Sequence, residues 1–162
     1  MSKFQMLEDL AHEDSKVFYE SHLKAVKYAF QVRANLIEYL EAPHRGSIEI
    51  TMLDYKIVHK SFELKMERFG RRSNDFRCGL LFHFHSNDYT DTSEAYLEIY
   101  VEEEQCKLFG KKFDIKDSQG IGEHTFKSYV DRFKGNNERI PMGFVNNETK
   151  RSRGSSITEA VA

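Results

Sequence analysis

Two histidines one residue apart, His83 and His85, close the run Leu80-Leu81-Phe82-His83-Phe84-His85. Side chains alternate across a strand, so both imidazoles project from one face while Leu80, Phe82 and Phe84 share the other. Such a pair can fill two coordination positions of zinc or another divalent transition metal. A third ligand is required. If Ser86 to Ala95 connects two strands as a symmetric antiparallel hairpin, Glu98 falls opposite His83 and Tyr96 opposite His85. Metal-bound water with Glu98 as ligand or general base then makes the chain a hydrolase. The competing reading, which is preferred, is that a strand with a phenylalanine core face must place the intervening residues together, and that Glu opposite His is an ordinary cross-strand pair. On that reading no cofactor is expected. Parity sends Cys78 to the face away from the histidines unless Gly79 hosts a bulge.

Other chemistry-bearing patterns are weaker. Cys78 and Cys106 form no C-x-x-C pair and read as buried thiols. Ser118-Gln119-Gly120-Ile121-Gly122 lacks the third glycine of a dinucleotide fingerprint and the Gly-Lys-Ser/Thr ending of a phosphate loop, so it is expected to be a flexible connection. No G-x-S-x-G elbow occurs. A nucleic-acid alternative joins Arg68, Arg71 and Arg72 with Lys111, Lys112 and the basic tail, with Tyr96 and Tyr100 as stacking platforms. Against it, Glu49, Glu63, Glu67, Glu98 and Glu102 fall on the same expected face and repel phosphate.

The elements that position these residues follow from periodicity. Ser2-Lys3-Phe4-Gln5 is a capping box that opens a short helix to about Ala11. Asp14 can cap a second, longer helix that Pro43 ends. Its stripes, Phe18, His22, Ala25, Ala29, Val32, Leu36, Tyr39 and Tyr19, Leu23, Val26, Phe30, Arg33, Ile37, Leu40, alternate steps of three and four. So wide a face covers a sheet, and helix 14–41 has room for the same helix of a second copy in a homodimer.

From Gly46 the period becomes two, giving strands at Ile48–Leu53, Phe62–Glu67, the histidine run, Tyr96–Glu103 and a hairpin from Gln105–Leu108 to Phe113–Ile115. Clean alternation predicts an antiparallel sheet with one packed and one wet face. A last helix is expected over Glu123–Lys134, packed through Phe126, Tyr129, Val130 and Phe133 and closed by a left-handed Gly135.

These elements lie in 162 residues, enough for one domain, expected over 1–147 with a disordered tail at 148–162. A net charge of −2 and 13% aromatic residues fit a folded polar-surfaced chain. No apolar run approaches membrane-spanning length, which with the missing signal segment predicts a cytoplasmic protein. The reading reached is an α+β fold of two layers, an antiparallel sheet of about five strands under a long N-terminal helix with a C-terminal helix. Its expected function is a non-enzymatic module of adaptor, chaperone or inhibitor type. It would bind a protein partner through a polar-aromatic sheet face carrying His83, His85, Tyr96, Glu98 and Tyr100.

Overall fold

The computed structural model describes residues 2–51, 67–68, 75–85, 88–135 and 142–145. The expected strand at Phe62–Glu67, the arginines at 71 and 72, and the tail lie largely or wholly outside these residues. The architecture is α+β, with helices on one face of an antiparallel sheet.

Helix α1 runs unbroken from Lys3 to Tyr39. Ser2 caps it, its Oγ accepting from Gln5 N at 3.1 Å, as the capping pattern predicts. The expected break before Asp14 is absent. Asp14 is acceptable inside a helix, and with Ser2 already serving as N-cap a second start is unnecessary. At the far end Leu40 is the C-cap and Glu41 enters the left-handed region at φ 53°. Ala42 N donates to Ile37 O at 3.0 Å, closing a Schellman turn immediately before Pro43.

A 3₁₀ turn, Arg45–Ser47, leads into strand β1, Ile48–Thr51. Strand β2 is the pair Glu67–Arg68, β3 spans Asp75–His85 and β4 spans Thr90–Tyr100. Strands β5, Gln105–Leu108, and β6, Lys111–Asp114, form the expected hairpin. Its two-residue turn is Phe109-Gly110, both at positive φ, 49° and 76°. The sheet order is β1-β3-β4-β5-β6, every neighbour antiparallel, with β2 pairing to β3 beyond the end of β1.

Alternation assigns the core face as expected. Phe76, Cys78, Leu80 and Phe82 of β3 join Ile48, Ile50, Ala95, Leu97, Ile99, Cys106 and Leu108 in one buried cluster. Ala25, Ala29, Val32 and Leu36 of α1 cover it. Two alanines at the contact let the helix axis approach the sheet closely. Arg33 on the same helix donates to the carbonyls of Ile48 and Arg45, occupying backbone acceptors beside β1 that would otherwise need another partner.

Helix α2 covers the remaining end of the sheet and is longer than expected, Ser118–Lys134. Asp117 caps it, its Oδ1 accepting from Gly120 N at 2.9 Å, so the glycine-containing segment is helix rather than flexible connection. Gly122 is required by packing: a Cβ there would collide with the ring of Tyr39 on α1. The close approach rolls α2 so that Ile121, Gly122, Thr125 and Tyr129 are buried and Phe126 is 60% exposed, contrary to the expected core face. Gly135 is extended, at φ −81°, rather than left-handed. Tyr129 meets Phe82 and Phe84 edge-on at 4.8 and 5.2 Å, tying α2 to the C-terminal end of β3.

Candidate functional site

The register between β3 and β4 decides which of the expected site residues meet. His83 stands opposite Thr92 and His85 opposite Thr90, while Glu98 stands opposite Arg77 and Tyr96 opposite Gly79. The symmetric hairpin over Ser86 to Ala95 is therefore corrected. The connection occupies only residues 86–89, and Thr90–Glu94 belong to β4. Those residues looked like loop because they are polar, yet polar side chains suit a strand pairing with the exposed end of β3, and threonine favours extended backbone. Six residues of strand, about 20 Å, now separate Glu98 from the level of His83. The expected ligand set His83, His85 and Glu98 is not brought together. Among the described residues no group of three or more His, Cys, Asp or Glu side chains converges in a way that could hold a metal ion.

All five expected binding residues, His83, His85, Tyr96, Glu98 and Tyr100, share the face turned away from the helices, as strand parity with the observed register requires. That face divides into two regions of different character.

At the histidine end the face is partly dry. Glu49, Thr51, Leu81 and Glu94 are buried although they point away from the main core, which corrects the expectation of one wholly wet face. Gly79 lies between Thr51 and Glu94, and a Cβ there would clash with both side chains. Across this slot Thr51 Oγ1 donates to Glu94 Oε2 at 3.0 Å. His83 Nε2 lies 3.3 Å from Glu49 Oε2, but off the hydrogen-bond direction. The two imidazoles stack, centroids 6.4 Å apart, and His85 Nδ1 shares a hydrogen bond with Thr90 Oγ1 at 2.9 Å. Sequence reasoning missed Glu49, Thr51 and Glu94 as a group. The available signal was Gly79, since an isolated glycine inside a strand marks close approach of neighbours.

At the tyrosine end the face is half-exposed. Tyr100 donates its phenol hydrogen to Glu98 Oε2 at 2.7 Å, and Lys112 Nζ lies 4.4 Å from the Tyr100 ring centroid. Burial, the Glu98 hydrogen bond and the charges of Glu98, Asp75 and Glu103 push the Tyr100 phenol well above its ordinary range, holding it as a neutral donor. Beside it lies a shallow cleft of about 180 Å³, lined by Tyr96, Glu98, Lys107, Phe109, Gly110, Met142 and Gly143. The segment 142–145 makes its wall. Tyr96 N donates to Gly143 O at 2.9 Å and Val145 N to Glu94 O at 2.8 Å, extending the sheet where β5 stops. Lys111 and Lys112 of the nucleic-acid alternative are on β6, where Lys112 lies over the Tyr100 ring and opposite Lys107. Arg68 is on β2.

Both cysteines are buried and free on the core face. Burial first, then Asp114 and Asp117, pushes the Cys106 thiol up to about 12, and burial with Glu94 raises Cys78 further. Neither is an activated nucleophile. No helix among the described residues is long and apolar enough to cross a membrane. Comparison of the chain with protein-family models, with curated proteins and with solved structures finds no match.

Proposed function

We propose that the protein is a non-catalytic interaction module of the cytoplasm that binds a protein partner through the tyrosine end of its open sheet face. The observation that carries this reading is the cleft beside Tyr96 and Glu98. It combines an apolar wall from Phe109 and Met142 with charged groups from Glu98 and Lys107, and Met142 is 78% exposed at its rim. A hydrophobic centre bordered by polar groups is the composition of a small protein-binding hot spot, and its volume suits one anchoring side chain rather than a cofactor. Tyr100, locked by Glu98 and Lys112, adds a rigid aromatic surface that loses little entropy on binding. Two free, inert thiols support a reducing compartment.

The test is site-specific photo-crosslinking in cells, with a benzophenone side chain replacing Tyr96 in one variant and the exposed Phe126 in another. The expected result is a discrete adduct from position 96 that is absent from position 126 and lost in Tyr100→Ala. Equal labelling at both positions, or none at 96, refutes the reading.

A further inference from the structure

Ser93 stands opposite Phe82, so its hydroxyl is on the helix-facing side of β4, where two donors from α2 meet it. Tyr129 Oη donates to Ser93 Oγ at 3.1 Å, and Arg132, one turn further along the helix, donates to the same oxygen through its guanidinium. Both hydroxyls are shut away from bulk water, with Ser93 2% and Tyr129 7% exposed. Arg132 itself is half-buried. Its Cζ lies 4.5 Å from the centroid of the Phe144 ring and 5.9 Å from that of Phe133, so cation–π attraction holds the head group beside Ser93.

Donors outnumber acceptors in this cluster. Tyr129 and Ser93 carry one hydroxyl hydrogen each, and their mutual bond uses only one of them, whichever way it runs. The other has no acceptor among the described residues, and neither has the part of the Arg132 fork that does not meet Ser93. The acids nearest along the chain are Asp91, on the same face of β4 as Ser93, and Asp131. Both are exposed, and among the described residues Arg132 enters no ion pair. A group that completes the cluster must accept without donating and carry negative charge. A deprotonated carboxylate or a phosphate does both, and its oxygens match the guanidinium fork. We propose that Arg132, Ser93 and Tyr129 form an oxyanion site that takes a carboxylate or phosphate group. Strand parity places Ser93 and Tyr96 on opposite faces of the sheet, so this site is independent of the cleft, and either can fail without the other.

The experiment titrates the full isotope-labelled chain with sodium phosphate, sodium acetate and sodium chloride at constant pH and ionic strength. Two-dimensional NMR follows the backbone amide signals of residues 93 and 132. The expected result is a saturating shift of both signals with phosphate or acetate and none with chloride. Arg132→Gln should weaken binding at least about tenfold, because the charged donor supplies most of the attraction. Lys127→Gln removes an exposed charge from the same helix and should leave binding within about twofold. Glutamine is a good helix former, so both variants keep the fold, which circular dichroism verifies. Saturation by phosphate alone assigns the ligand to phosphate groups and by acetate alone to carboxylates; either upholds the oxyanion site. Shifts that fail to saturate, or that chloride reproduces, mean charge screening around a hydrated arginine and overturn the proposal. Equal weakening by Arg132→Gln and Lys127→Gln, or by neither, overturns it as well.

Discussion

The chemistry of single residues explains the dry half of the sheet face. Thr51 and Glu94 bond to one another only because position 79 lacks a side chain. Gly79→Ala should therefore force the two strands' side chains apart and destabilise the fold by about 1–3 kcal/mol, the usual cost of overpacking, measured by urea denaturation. Asp75, at the opposite end of β3, is a carboxylate in the wrong company. Burial raises its pKa above the ordinary 3.8; the charges of Glu103, Glu102 and Glu98 push the same way, and Lys112 opposes them. An acid whose folded pKa is raised holds its proton longer in the folded state, so its contribution to stability is greatest below 3.8 and is lost as pH rises through the folded pKa. Asp75→Asn should melt higher than the parent protein at neutrality, with the difference vanishing below pH 3.8. Thermal melts across that range check it, and a constant difference would refute it.

Among the elements, helix ends and turns show how local rules were applied. Glu41 occupies a left-handed position that glycine normally fills, at φ 53°. Glu41→Gly should relieve that strain and raise stability by about 0.5–1 kcal/mol, read as an increased denaturant midpoint at unchanged slope. Much of this level was legible in advance. Pro43 announced the end of α1, the hairpin from Gln105–Leu108 was expected with a four-residue turn at 109–112 that the structure shortens to two, and the alternation in Leu80–Phe84 announced the core face of β3. The misreadings share one cause, that a residue type compatible with two states does not choose between them. Asp14 caps helices and also tolerates their interiors; Thr90–Glu94 suits loops and also polar strand. The register followed from the second choice, and with it the separation of Glu98 from His83. Neither Tyr39 against Gly122 nor Thr51 against Glu94 could be read from spacing, because each contact joins elements whose relative placement only the folded chain determines.

For the whole molecule, the buried core is one contiguous cluster spanning both helices and the sheet, and its two thiols report on it. Cys78 and Cys106 are both 0% exposed within the central cluster. Both should stay unreactive toward a thiol reagent in native buffer and react together over the same urea range in which helical circular dichroism is lost. Reaction of one thiol well before the other would show that part of the core opens independently. Residues 3–20 of α1 lie outside that cluster, so a substitution such as Leu7→Glu should leave the urea midpoint of thiol reactivity unchanged.

The small residues under α1 also have a mechanical role. The exposed start of α1, residues 3–17, extends about 22 Å beyond the contact of Phe18 with Phe76 and acts as a lever, in which an axis tilt of about 10° displaces the tip by about 4 Å. Ala25 and Ala29, by seating the helix flat on the sheet, aim that tip. Enlarging either one would change where Phe4 points by far more than it moves any atom of the core.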